Sequence, residues 1–252
     1  MQAPRQRLDL LLVERGLASS RQKAQALIQA GQVLVDDRPV DKPGTTVPAE
    51  AAVRLRGEAS RFVSRGGEKL LGALTGFGVD PSGLVCADLG ASTGGFTDCL
   101  LQHGASRVYA IDVGYGQLAW SLRQDPRVVV LERTNARHLE SLPEPVDLVV
   151  GDLSFIGLEK VLPAMLRIAK PGAQAVLLVK PQFQVGPEGV GKGGVVREES
   201  TRRQAVDAVS EAARALHCQV LGWMVSPLLG ARKGNVEYLL HLAFPPASPA
   251  SP

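Results

Sequence analysis

Four ionisable residues stand at or near the ends of apolar runs: Lys69 in Ser64-Arg-Gly-Gly-Glu-Lys69, Asp152 in Val149-Val-Gly-Asp152, Lys180 in Leu178-Val-Lys180 and Glu237 in Gly234-Asn-Val-Glu237. If the runs are strands of one sheet, and the last runs antiparallel to its neighbours, all four groups reach one edge. Two amines and two carboxylates can take a proton from a hydroxyl without a metal. A lysine of ordinary pKa, about 10.4, is protonated near neutrality, so a basic role requires neighbouring cations and burial to lower it. Lys180 beside Lys69 would meet that condition, with Asp152 and Glu237 orienting the amines. Such a set suits methylation of a ribose hydroxyl held in line with a sulfonium methyl. Each residue also has an ordinary reading, Lys180 as a surface charge and Asp152 as a cap for a helix from Leu158; their convergence on one edge favours chemistry.

A second feature points to what would sit beside that edge. Leu84-Val-Cys-Ala reads as a buried strand and runs into Asp88-Leu-Gly-Ala-Ser-Thr-Gly-Gly-Phe-Thr-Asp98, a glycine-rich turn that opens a helix. Asp88, Gly90, Ser92, Thr93, Gly94, Gly95 and Phe96 are the candidate cofactor residues of this turn, because glycines allow positive φ and helix N-termini present free N–H groups. The spacing is G-x-x-x-G-G, not the G-x-G-x-x-G of pyrophosphate binders, so a nucleoside carrying an amino acid, such as S-adenosylmethionine, fits better than a dinucleotide. Asp112 closes the next strand pattern, where a carboxylate accepts ribose hydroxyls. Asn135, after the third strand, is a candidate for the adenine amino group or an ordinary turn cap, and Asp152 borders the same pocket.

These groups need a sheet to position them. Strand-like runs at 84–89, 108–112, 128–131, 146–151, 174–179, 220–225 and 237–243 alternate with helical patterns at 68–77, 97–104, 158–169 and 199–216. The alternation predicts an α/β fold, a Rossmann-like, mostly parallel seven-stranded sheet of class I methyltransferase type. Ahead of it lies a small α+β module. Leu8 to Arg15 reads as one helix; Ser19-Ser-Arg-Gln22 reads as a capping box for a second, with Ala24, Leu27 and Ile28 inward and Gly31 as its stop. Val33-Leu-Val35, a turn at Asp36-Asp-Arg-Pro39 and a strand near Val53 complete it. The expected domains are 1–60, 61–244 and a proline-rich tail, 245–252, without structure.

Charge follows the same division. Residues 1–65 hold eleven Lys and Arg against seven Asp and Glu, an excess of +4, while the remainder holds seventeen against eighteen. A basic module on a near-neutral domain suggests a nucleic-acid address. Cys86, Cys99 and Cys218, and His103, His138, His217 and His241, lack metal-ligand spacing, so no metal is expected. With no signal-peptide pattern and no apolar run approaching a membrane span, the expected location is cytoplasmic.

The first module resembles the S4 RNA-binding domain at Arg7-Leu-Asp9, Ser20-Arg21, Ala24, Ile28, Gly31, Val33-Leu-Val35 and Lys42-Pro-Gly44. Phe62 to Leu70, Asp88 to Asp98, Asp112-Val-Gly-Tyr-Gly-Gln-Leu118, Asp152-Leu-Ser-Phe-Ile156, Leu178 to Phe183 and Lys233 to Tyr238 resemble the TlyA (hemolysin A) family, which joins an S4 domain to an FtsJ-like ribose 2′-O-methyltransferase. The resemblance implies S-adenosylmethionine as cofactor, cytidine in ribosomal RNA of the ribosomal subunits as target, and Lys69, Asp152, Lys180 and Glu237 as the catalytic tetrad. It also implies RNA contacts from Arg5, Arg15, Arg21 and Lys23. Arg65 is a further RNA-binding candidate, and Gly186 to Gly194, with Lys192 and Arg197, reads as a mobile basic loop over the active site or as an inert connection. Gln184 departs from the glutamate usual in the family, which bears on loop contacts rather than on the tetrad. Two other readings stand beside this one: a ribosome-binding assembly factor with a vestigial methyltransferase fold, against which the intact tetrad argues, and a pore-forming hemolysin, for which no membrane-active segment is visible.

Overall fold

A computed structural model describes residues 5–56, 61–186, 189–191, 193–230 and 234–247. The chain divides into two compact units, residues 1–60 and 61–252.

In the first unit, strand β1 (Arg5–Arg7) leads into helices α1 (Leu8–Glu14) and α2 (Arg21–Gln29), followed by β2 (Val33–Val35), β3 (Arg38–Pro39), β4 (Thr46–Pro48) and β5 (Val53–Leu55). Leu8, Leu11 and Leu12 from α1 meet Ala24 and Ile28 from α2 over Val33, Val35 and Val47, the apolar spacing that made both helices legible. Asp36 and Asp37 take positive φ, 48° and 64°, making the two-residue turn that joins β2 to its antiparallel partner β3. The cap of α2 is one residue later than the sequence suggests: Ser20, not Ser19, accepts the Lys23 N–H at 3.2 Å. Gln22 is therefore one position short of the reciprocal role in a capping box.

Asp9 organises this unit. Fully buried, it accepts two bonds from Arg7, one from Arg21 Nε at 3.0 Å and one from Gln25 Nε2 at 2.9 Å. The Arg7 guanidinium, ahead of the other donors, holds its carboxyl well below the usual carboxylate range. Arg21 gives its Nε to Asp9 while its side chain stays more than half exposed on the outer side of α2.

The second unit opens with α3 (Gly66–Phe77) and continues as β6 (Val85–Leu89), α4 (Gly95–Gln102), β7 (Arg107–Ile111), α5 (Trp120–Arg123), β8 (Val128–Leu131), β9 (Val146–Gly151), α6 (Leu162–Ile168), β10 (Ala169–Val179), α7 (Glu199–Ala215), β11 (Gln219–Val225) and β12 (Tyr238–Ala243). The seven strands form one sheet in the order β11-β12-β10-β9-β6-β7-β8. β6 to β10 pair in parallel, whereas β12 is antiparallel to both β10 and β11. Both faces are covered, so alternate residues of one strand serve two cores: Leu148 and Val150 pack with Leu70 and Leu100 on the α3 and α4 side, Val149 between them with Met165 and Val209 on the α6 and α7 side. That is why the strands read as continuous apolar runs rather than as alternations. Helix α5, four residues long, has too short a periodic pattern to be visible in sequence. Among the described residues no helix is long and apolar enough to cross a membrane.

Candidate active site

Register brings the strand tips together. Val179 pairs with Tyr238 in the antiparallel β10–β12 ladder, so Lys180 and Glu237 are the next residues at that edge. Leu177 and Leu89 both pair with Gly151, which puts Asp152 and Gly90 just beyond the same edge of β9 and β6. The antiparallel direction of β12 is what delivers Glu237 to the carboxyl ends of its neighbours.

The four ionisable groups form two pairs. Lys69 Nζ, carried by the first turns of α3, donates to Glu237 Oε2 at 2.5 Å, with both side chains buried. Lys180 Nζ lies 2.5 Å from Asp152 Oδ1 and donates to Ser154 Oγ at 2.8 Å. Arg65 ties the start of α3 to the Leu229 carbonyl at 3.0 Å and is only half-exposed, which commits it structurally.

Next to these pairs lies the glycine turn. Gly90 has φ +83°, and a Cβ there would come within 2.8 Å of the Asp152 carbonyl oxygen. Gly94 and Gly95 are required by protein neighbours instead: a Cβ on Gly94 would strike Leu122 and one on Gly95 would strike Ser64. Phe96 is buried in the core with Leu70 and Leu100. Thr93 uses its carbonyl to hold the Ala119 N–H at 3.1 Å. A cavity opens beside the turn, lined by Ala91 and Ser92 of the turn itself, by Ala110, Asp112 and Gly114, and by Gln117, Leu118, Val130 and Glu132. Of the residues expected to hold a cofactor, Ser92 and Asp112 line it. The Asp112 carboxylate accepts the N–H groups of Ser92 (2.8 Å) and Gly114 (2.6 Å), one on each oxygen, leaving further lone pairs for hydroxyls.

Asn135 is exposed and caps a short 3₁₀ turn by accepting the Arg137 N–H at 3.0 Å, so the ordinary alternative for it is the one seen. Glu132, which sequence reasoning passed over, lines the cavity and accepts the Gly116 N–H at 2.8 Å. Its signal was available: it follows the third strand directly, three residues before Asn135. Phe155 was missed as well. It is 83% exposed at φ +64°, a conformation costly for a side-chain-bearing residue, and its ring lies 5.0 Å from that of Phe183. Gln184 joins this loop to the strand tip by accepting the Leu158 N–H at 3.2 Å, a job a neutral amide does as well as a carboxylate.

Asp88 sits fully buried beneath the turn rather than in the cavity. Its Oδ2 accepts the Thr97 N–H (2.9 Å) and hydroxyl (2.7 Å), while Oδ1 has no hydrogen-bond partner. Burial pushes its carboxyl from 3.8 up to about 7; the Thr97 bonds oppose that shift and Asp152 adds to it. A folded-state pKa raised above the unfolded value means that stability is fully present below the unfolded pKa and is lost as pH climbs through the folded one. Asp88→Asn removes that loss. Thermal scans should therefore show the variant melting with the wild type near pH ~4 and above it at pH ~8, since only the carboxylate form carries the desolvation cost.

For the remaining basic residues, Arg15 donates to the Ala51 carbonyl at 2.6 Å and to that of Ala49, and Arg5 to that of Thr46, so these guanidiniums are partly committed to backbone. Lys23 is exposed, as is Arg197. Lys192 lies outside the described residues. The segment preceding Arg197 is tied to the buried Asn235, which accepts the Val196 N–H and donates to the Gly194 carbonyl. Among the described residues no group of three or more His, Cys, Asp or Glu is placed to hold a metal ion.

A seven-stranded doubly wound sheet with a cavity beside its glycine turn and ionisable groups on its carboxyl edge defines a class I methyltransferase fold, here preceded by a small module of S4 type. The FtsJ-like methyltransferase family matches residues 62–244 and the S4 domain family residues 6–53, and the chain belongs to the FtsJ-like methyltransferases that carry an S4 domain. It is 54% identical over 243 residues, 95% of its length and 90% of the relative's, to the 16S/23S rRNA (cytidine-2′-O)-methyltransferase TlyA of Mycobacterium tuberculosis. It is 38% identical to Hemolysin A of Brachyspira hyodysenteriae, over 93% of this chain and 98% of that one. A solved structure titled "Putative hemolysin" from Streptococcus thermophilus superposes with a TM-score of 0.76 at 41% identity, covering 98% of this chain and 90% of the other.

Proposed function

We propose that this protein transfers a methyl group from S-adenosylmethionine to the ribose 2′-hydroxyl of cytidine in ribosomal RNA. The observation that carries this reading is the set of two lysine–carboxylate pairs at one sheet edge beside the cavity at the glycine turn. The cavity's chemistry fits the cofactor: Ala110, Leu118 and Val130 offer apolar surface for a purine, and Asp112 retains acceptor capacity for a ribose diol. When bound, the cofactor contributes a methyl group on a sulfonium sulfur. The chain's residues do the rest. Lys180 Nζ takes the proton of the 2′-hydroxyl, Asp152 compensates the resulting ammonium, and the Lys69–Glu237 pair, from α3 and the residue before β12, borders the same edge. The exposed Phe155 ring, backed by the half-buried Phe183, provides a face on which a nucleobase stacks.

The S4 unit is assigned the RNA grip, with exposed Lys23 contributing directly and Arg5, Arg15 and Arg21 through the parts of their guanidiniums left free. Each phosphate contact contributes roughly −0.7 to −0.9 to the slope of log K against log salt. Lys23→Glu should therefore weaken RNA binding and flatten the slope by about one contact, with S-adenosylmethionine affinity unchanged; titrations at several salt concentrations check this. Arg21→Glu places a second carboxylate against buried Asp9 and tests stability instead. The function itself is tested by incubating ribosomal subunits with methyl-labelled S-adenosylmethionine and digesting the RNA to nucleosides. Label in 2′-O-methylcytidine is the expected result, and label in base-methylated nucleosides would reject the assignment.

A further inference from the structure

Lys180 has one directional hydrogen bond on its amine among the described residues, and it goes to Ser154, a residue outside the tetrad. Asp152 Oδ1 lies 2.5 Å away as the ion-pair partner of the same amine. Ser154 Oγ accepts a hydrogen bond from that amine at 2.8 Å. The charged groups flanking Lys180 are Asp152 at the tip of β9 and, on the β12 side, Glu237 with its α3 partner Lys69.

A neutral lysine amine has two N–H bonds and one lone pair. With one N–H on Ser154 Oγ and the other drawn toward Asp152, the lone pair is left in the third direction. We propose that Ser154 is a positioning residue that aims the Lys180 lone pair at the hydroxyl it deprotonates. The inference rests on the methyl-transfer reading above. In that step the hydroxyl proton moves to the Lys180 lone pair as the oxygen bonds the methyl carbon, and the electron pair of the broken carbon–sulfur bond stays on sulfur. Ser154 is exposed, so its own hydroxyl proton faces solvent and need not compete for that lone pair. The Asp152-Leu-Ser154 spacing returns the loop to Lys180 only because Gly151 ends β9 opposite Leu177.

Single-turnover methyl transfer to ribosomal subunits, followed across a pH series for wild type, Ser154→Ala and Ser154→Thr, tests the assignment. Loss of a hydrogen bond to an ionisable group lowers the plateau rate by about tenfold, with S-adenosylmethionine affinity and the KM for RNA unchanged. Removing an acceptor that favours the ammonium also moves the acid limb to lower pH. Ser154→Thr restores both plateau and limb. A plateau and limb unchanged in Ser154→Ala overturn the proposal, as does a lost plateau that threonine fails to restore while the limb stays in place. A wild type without 2′-O-methylation at any pH overturns the reading beneath it, a result distinct from either.

Discussion

Lys180→Ala is expected to bind S-adenosylmethionine as the wild type does and to transfer methyl groups at least about a hundredfold more slowly, the scale of losing a general base. The two halves of that expectation have separate structural grounds. The amine belongs to the strand edge, bonded to Ser154 and facing Asp152, whereas the cavity is bounded by residues of the β6, β7 and β8 ends and of the turns after them. Truncation at Lys180 leaves Asp152 with less compensation, but Asp152 is a quarter exposed and stays hydrated. Calorimetry gives the affinity and quenched single-turnover assays give the rate. A variant that turns over at a near-normal rate would reduce Lys180 to a structural partner of Asp152.

Gly90→Val should abolish cofactor binding while leaving a folded protein. Two independent penalties fall on this position. Its φ of +83° is strained for any residue with a Cβ, most of all a branched one, and that Cβ would sit 2.8 Å from the backbone oxygen of Asp152, which cannot swing away as a side-chain tip can. Relief requires the turn to move off the β9 tip. Movement of the turn displaces Ser92 from Asp112 and opens the cavity wall, so the ribose acceptor is lost with it. Calorimetric titration of the variant with S-adenosylmethionine checks this, and unchanged affinity would show that the turn does not border the cofactor.

The parts of this design that were legible in sequence are those carried by backbone periodicity. Apolar runs ending in Asp152 and Lys180 announced strand tips, and Gly90 announced a turn needing positive φ. Glu237 was legible only conditionally, because its place at the edge depends on the antiparallel course of β12. Side-chain commitments across elements were not legible. Arg21 reads as a free cation on a polar helix face until Asp9, twelve residues earlier, takes its Nε. Gly94 and Gly95 read as ligand glycines, but their space is taken by Leu122 and Ser64. The cavity wall drew on Gln117, Leu118 and Glu132, which lie in turns and strand ends whose orientation no period reveals. Ser154 and Phe155 belong to the same class, set by a loop whose path is fixed by Gln184 from another strand tip.

The central claim is that this chain places 2′-O-methyl groups on cytidines of ribosomal RNA. Mapping of 2′-O-methylated ribose positions in ribosomal RNA from cells lacking the protein, and from the same cells supplied with wild type or Lys180→Ala, tests it most directly. At least one methylated cytidine should disappear on deletion, return with the wild type and stay absent with Lys180→Ala. A methylation map unchanged by deletion, or restored in full by Lys180→Ala, would contradict the account.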